Sequence, residues 1–360
     1  MITKLIEEKY NTFFYKTNKY LVGSASSAIY IYLKHKQLDN QNILLPSNIC
    51  HSIPFSIIYS GNKPLFYDVD SLTGNPSLDS IKKILNKNSV AAIIIPNMYG
   101  NIFIDRGSLI EFIEDKEIYI IDDCAASLGA DMKYLVKSGD AAIFSFGENK
   151  HLDLGVGGLL ATDENIDIGN ITKNIINNYT DSQHKVQLFD NIFKSVFYSE
   201  YYYQLMPQLN NIIDFFKDSY VFKYVWNEEL IEELDNKLYF LNEAKRISLE
   251  KVEYLNQKIN FKNSLYSKYE FFTGSNPWRY NILVNDSSLK EKIIILSLEE
   301  NILISKWYPP IEPLFTSSSS HKNSKFFSER ILNFNHVKTS WKHLDKIINI
   351  LNKIGVENQK

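Results

Sequence analysis

Two positions in this chain could do covalent and electrostatic chemistry together: Lys150, and one of the neighbouring pair Asp122 and Asp123. The stretch Ala141–Thr162 begins with a short apolar run that reads as a buried strand and delivers Ser145, with Lys150 five residues later. A turn carrying Gly155, Gly157 and Gly158 follows, then a second apolar strand from Leu159 to Thr162. A lysine just beyond a buried strand end is partly desolvated, which makes its amine nucleophilic near neutral pH and suited to Schiff-base formation. The same spacing also fits a surface lysine in a hairpin. Upstream, IYIIDDCAASLGA carries the chain from an apolar run into two acids and then small residues. An acid at the end of a parallel strand points into the crevice where such sheets bind ligands. There a carboxylate can hold a pyridinium nitrogen protonated. Either acid could instead cap the helix that follows.

The elements that must position these residues are legible in order. Gly23 and Ser24 form a glycine-serine turn before a helical run, Ala28–Leu33. Free backbone amides and the helix dipole at such a start make an anion site, and an ordinary N-cap is the plainer reading. Ile43–Leu45, Lys63–Val69 and Val90–Ile95 read as strands, and Leu72–Leu85 and Asp105–Glu114 as helices. Strands alternating with helices at this spacing argue for a parallel sheet with right-handed crossovers. Past Val90–Ile95 comes PNMYGN, where Asn97 and Tyr99 face either a ligand or only a turn. Beyond Thr162 the chain is polar and rich in Asn, then dense in aromatics over residues 189–225, with helical spacing that suits core or subunit packing better than a membrane surface. Residues 228–259 read as one long helix. Then come strands at Pro277–Val284 and Asn301–Pro310 around a helix at Ser287–Glu300, a strand at Arg330–Phe334 and a closing helix at Trp341–Lys353. Of four arginines, Arg279, between Trp278 and Tyr280, is the best placed to grip a carboxylate or diphosphate; a rim ion pair is the alternative.

Taken together, Asp122-Asp123-Cys124-Ala125, Ser145-Phe146, Lys150 and Gly157-Gly158 resemble the ordered motifs of the DegT/DnrJ/EryC1/StrS family of sugar aminotransferases. The resemblance covers about residues 20–165 well. It implies an α/β chain of fold type I: a mixed, mostly parallel sheet with helices on both faces, plus a smaller α+β C-terminal domain. The division expected is a large cofactor-binding domain over 1–256 and a small domain over 257–360. The resemblance further implies pyridoxal 5'-phosphate as cofactor, with Lys150 as its covalent anchor and Asp123 on the pyridine nitrogen. Ser24, Ala25 and Ser145 would hold the phosphate. Cys50 stands where the family places a stacking aromatic ring, and His51 beside it could stack or bond the ring oxygen. Ala126 stands where the family has glutamine or histidine. Asn227 matches an Asn-x-Arg motif that reaches the neighbouring subunit's phosphate, with Glu229 in place of the arginine. Asn97, Tyr99 and Arg279 are the candidate substrate contacts.

The implied reaction is transamination of a nucleotide-linked keto sugar with glutamate as amino donor, in surface-polysaccharide or amino-sugar biosynthesis, by a cytoplasmic homodimer. Composition is compatible. At 360 residues with 44% hydrophobic and 14% aromatic residues there is ample core, and a net charge of -3 gives no electrostatic case for nucleic acid. Two cysteines imply no disulfide framework. No metal-ligand spacing, transmembrane run or secretion signal is expected. Other classes stay open. The departures at Cys50, Ala126 and Glu229 would suit a catalytically diverged binding or regulatory protein, and residues 189–225 could serve a membrane-peripheral factor.

Overall fold

The computed structural model describes residues 13–14, 16–131, 139–199, 201–262, 265–316 and 321–357. The N-terminal stretch, read above as carrying no signal, lies mostly outside them, as does Glu200. A seven-stranded sheet runs in the order β1-β7-β6-β5-β4-β2-β3, from β1 (Asn18–Val22), β2 (Asn42–Pro46), β3 (Lys63–Tyr67), β4 (Ala92–Pro96), β5 (Tyr119–Asp123), β6 (Ala141–Ser145) and β7 (Gly158–Thr162). The pairings among β3, β2, β4, β5 and β6 are parallel, whereas β7 runs antiparallel to both β6 and β1. The central strands are largely buried, and Ala92–Pro96 is a fully buried apolar run, as expected of a strand covered on both faces. Register brings Val22, Gly158 and Ser145 into one line, with Asp123 and Pro96 ending their strands at the same sheet edge. The site assembles at that edge.

The described helices of eight or more residues before Glu228 are α1 (Ala25–His35), α2 (Ser52–Tyr59), α3 (Leu78–Leu85), α4 (Arg106–Ile113) and α5 (Tyr179–Phe197). Helix α1 starts where Ser24, in extended backbone, accepts from the Ser27 amide at 3.0 Å. Helix α3 begins at Leu78 rather than at Leu72. Asp70 Oδ1 takes the amides of Leu72 and Thr73 into a turn, Pro76 bridges to Val69, and Ser77 then caps the helix by accepting from the Ser80 amide. On α5 the buried Phe189, Phe193 and Phe197 recur every four residues along one stripe and join Phe55, Tyr202, Phe216 and Tyr220 in the core beneath α1 and α2. Full burial of each such ring contributes about 2 kcal/mol. The aromatic density of residues 189–225 therefore serves mainly this core. Among the described residues no helix is long and apolar enough to cross a membrane.

The rest of the chain holds α6 (Glu228–Tyr239), α7 (Leu241–Lys258), β8 (Tyr266–Lys268), β9 (Tyr280–Val284), α8 (Ser287–Glu299), α9 (Lys322–Arg330), β10 (Ile331–Phe334) and α10 (Trp341–Glu357), with a three-stranded antiparallel sheet ordered β10-β9-β8. Two expectations need correction. The single long helix is two, broken at Phe240, whose φ of -90° and ψ of 1° end α6; neither glycine nor proline marks the break. Asn301–Pro310 is not a strand: only Ser305 bridges, to Asn333, and the two prolines that close the run have no amide to donate. Helix α7 starts in the core against the large sheet, through Leu241, and ends in the core of the small sheet, through Val252 and Leu255.

On β5 the two acids face opposite ways. Asp122 is fully buried and takes both guanidinium nitrogens of Arg106, with Nη2 at 2.7 Å. Burial pushes its carboxyl up to about 6, against the pull of Arg106. Removing one partner of such a buried pair costs about 3 kcal/mol. Asp122→Asn is therefore expected to lower the calorimetric melting temperature clearly, and Asp123→Asn to leave it nearly unchanged. Equal melting temperatures for the two variants would remove the structural role from Asp122.

Candidate active site

A cavity of about 360 Å³ opens at the carboxyl edge of the large sheet, within the size range of small-molecule sites. Its wall includes Ser24, Ala25, Cys50, His51, Asn97, Tyr99, Asp123, Ser145 and Lys150, so nine of the sequence candidates converge on one space. Asn227 and Arg279 are not part of that wall. Asn227 is exposed and caps α6, its Oδ1 accepting from the Leu230 amide at 2.9 Å. Arg279 lies behind the cavity, its guanidinium 4.6 Å from the centre of the Trp278 ring and 3.2 Å from Asn333 Oδ1.

The Lys150 amine makes no hydrogen bond or ion pair among the described residues; its Nζ lies 4.4 Å from the centre of the Trp278 ring. Burial lowers its pKa from the ordinary lysine value, opposed by Cys50 and Asp123. Trp278 is held in turn by its indole N–H donating to the Asn149 carbonyl at 2.6 Å. Asp123 accepts from the Ala125 amide at 3.0 Å through Oδ1, and burial raises its carboxyl pKa, opposed by that amide and by Lys150. A basic amine with no partner and a carboxylate with a single amide contact thus border the same cavity.

At the other end of the wall, α1 points its N-terminus inward. The Ser24 hydroxyl is committed to the cap and donates to the Tyr220 carbonyl at 3.0 Å. The amides of Ala25 and Ser26 have no acceptor among the described residues. Backbone packs closely there: a Cβ on Gly158 would stand 2.6 Å from Ser24 C and 2.7 Å from Ala25 N. Gly157, at φ +98°, leaves no room for a side chain against the Trp226 ring. Two free amides at a helix start, approached by glycine backbone and bordered by the Ser145 hydroxyl, suit a phosphate. The donor set therefore fits a phosphorylated aldehyde cofactor.

Asp190 and Tyr220, and Trp307 and Tyr308 from the segment before α9, line the cavity without any motif to announce them. Asp190 stands in a segment whose composition signals only packing, and Trp307-Tyr308-Pro309-Pro310 has the look of a strand end. Tyr99 is held to that segment: its hydroxyl donates to the Trp307 carbonyl at 2.7 Å and accepts from the Tyr308 amide at 2.9 Å. Asn97 uses Oδ1 to accept from the Phe103 amide at 3.1 Å, and its buried Nδ2 has no protein partner.

The family model described as the DegT/DnrJ/EryC1/StrS aminotransferase family matches residues 3–183. The chain belongs to that family. It is similar to the GDP-perosamine synthase of Escherichia coli O157:H7, 30% identical over 129 residues, and to the spore coat polysaccharide biosynthesis protein SpsC of Bacillus subtilis, 26% identical over 161. These matches span 35% and 44% of this chain, and 35% and 41% of those relatives, well under half of their length. Among solved structures, the aminotransferase TlmJ from Streptoalloteichus hindustanus superposes with a TM-score of 0.76 at 16% identity, covering 100% of this chain and 92% of that one. PseC from Helicobacter pylori gives 0.75 at 15%, covering 99% and 92%. At such identities these likenesses show the fold, which is that of the family's solved members.

The lowered pKa of Lys150 has a measurable sign. Desolvation disfavours the ammonium, so the neutral amine appears at lower pH than in a solvated lysine, near about 10.4. The rate at which borohydride traps pyridoxal phosphate on Lys150 should rise through a midpoint below that value. A midpoint at or above it would mean that the amine is solvated.

Proposed function

We propose that this protein is a pyridoxal-phosphate-dependent aminotransferase acting on a nucleotide-linked keto sugar. The observation that carries the reading is the unpaired, desolvated Lys150 amine sharing a cavity with Asp123 and with the free amides of α1. When bound, pyridoxal phosphate supplies an electron sink that allows an amino group to pass from donor to keto acceptor. Lys150 Nζ would be the covalent anchor and, when free, would take the proton from the carbon that carries the amino group and deliver it to the cofactor. Asp123 would accept a hydrogen bond from the pyridine N–H and keep that nitrogen protonated. The amides of Ala25 and Ser26, with the Ser145 hydroxyl, take the phosphate. Asn97 stands in one wall, its side chain held by the Phe103 amide.

The substrate class is supported by the names of relatives, among them a dTDP-4-dehydro-2,3,6-trideoxy-D-glucose 4-aminotransferase of Saccharopolyspora spinosa, 26% identical over 141 residues. Glutamate as donor and a homodimer with sites near its interface belong to the same proposal. In that arrangement Asn227, exposed on its own chain, faces the partner's site. Small side chains at Cys50 and Ala126 leave the ring without the expected neighbours from those positions, and Trp307 and Tyr308 line the same cavity as aromatic replacements.

The test is the visible spectrum of purified protein with added pyridoxal phosphate, before and after glutamate. A protein-bound absorbance that glutamate shifts is the expected result. Lys150→Ala should abolish borohydride trapping and turnover, and Asp123→Asn should retain the cofactor while activity falls by about 100-fold. A Lys150→Ala protein still trapped as a covalent adduct would overturn the assignment of Lys150. Uptake of the cofactor with no response to any amino donor would instead favour a diverged binding protein.

A further inference from the structure

His51, Asp190 and Tyr220 meet in the cavity wall. His51 Nε2 lies 2.9 Å from Asp190 Oδ1 and 2.9 Å from the Tyr220 hydroxyl. That hydroxyl in turn donates to Asp190 Oδ1 at 2.9 Å. With the phenol hydrogen committed to the carboxylate, both partners of Nε2 are acceptors, so Nε2 carries the imidazole hydrogen. The unit is braced by aromatic packing: the His51 ring centre lies 4.5 Å from that of Phe193, and Phe55 stacks on Tyr220 at 5.3 Å. Both bonds to Asp190 fall on one oxygen, Oδ1. Its other oxygen, Oδ2, has no hydrogen-bond partner among the described residues and is not among the sealed, unpartnered atoms of the interior. The result is a cavity-lining carboxylate fixed in place by one oxygen, with the other left without a partner among the described residues.

The charges around it restrict what it can meet. The only lysine in the described wall is Lys150, the cofactor anchor, and no arginine lines the wall; the acids there are Asp123 and Asp190. A carboxylate group arriving at Asp190 would meet repulsion, whereas a hydroxyl would find a charged acceptor. Asp190 and Tyr220 also lie beyond residue 183, where the match to the family model ends.

We propose that Asp190, oriented by His51 and Tyr220, is a specificity-determining residue that accepts a hydrogen bond from a hydroxyl of the sugar ring. The inference rests on the sugar-aminotransferase reading of the cavity and deepens it. Asp190 touches substrate, and His51 and Tyr220 act through it as positioning residues.

The experiment uses full-length protein loaded with pyridoxal phosphate, and calorimetric binding of four probes: dTDP-glucose against dTDP, and GDP-mannose against GDP. The wild type should bind at least one sugar nucleotide more tightly than its parent nucleotide. Asp190→Ala should remove about 10-fold of that preference, the size expected for a hydrogen bond to a charged group, with parent-nucleotide affinity little changed. Tyr220→Phe, which keeps the carboxylate and loosens its orientation, should remove about 3-fold. Melting temperature and cofactor absorbance, measured on each variant, separate this from misfolding; if Asp190→Ala misfolds, Asp190→Asn replaces it and should also reduce the preference. A wild type with no sugar-dependent binding to either pair, or an unchanged preference in a folded Asp190 variant, overturns the proposal. A variant weakened toward glutamate instead of sugar also overturns it, by placing an ammonium group at Asp190. The parent reading fails separately: the protein would then not bind pyridoxal phosphate at all, while sugar discrimination could still be measured.

Discussion

Holding a lysine amine partly out of water without an ion-pair partner is costly for the ammonium form, and the site is arranged around that cost. Lys150 sits beyond β6 with the face of Trp278 beside its amine, and Trp278 is pinned by its own hydrogen bond to the Asn149 carbonyl. With Asp122 and Asp123 both turned toward the cavity, a second carboxylate there would favour the ammonium form. Strand geometry prevents this, because successive residues of β5 face opposite sides. One acid is taken up by Arg106, and only the other is left facing the cavity.

The chemical half of this arrangement was legible in the residues. An apolar run ending in two acids, another ending in serine before a lysine, and a double glycine each state a local backbone requirement, and the parallel register of β4, β5 and β6 brings their ends together. Gly158 shows why the last of these is compulsory: Ser24 and Ala25 pass too close for any side chain. The role of the Ser24 hydroxyl was less legible, because a side chain that caps a helix and one that holds an anion look alike in sequence. The structure commits it to the cap, and the amides of Ala25 and Ser26 are the donors left free there among the described residues.

The recognition half was not legible. Asp190 is one acid on an amphipathic helix, and its partners are 139 and 30 residues away in the chain. Nothing in local spacing brings His51, Asp190 and Tyr220 together; the packing of Phe189 and Phe193 under α2 does so. The strand expected at Asn301–Pro310 failed for a related reason. Its alternation suited a sheet, but its residues are used to seat Trp307 and Tyr308 against Tyr99, and that pairing takes the backbone groups a strand would need.

Helix α7 joins the two sheets in a more binding way than a linker would. Leu241 is built into one core and Leu255 into the other, while Ile311 and Leu314, from the segment leading out of the small sheet's strands, return to the core under α1. Melting either half would strip apolar surface from the other, so the free energy of opening is shared between them. Heat or denaturant is then met by one cooperative transition, and a lesion in the small sheet is felt at the far end of the chain as lost stability of the whole.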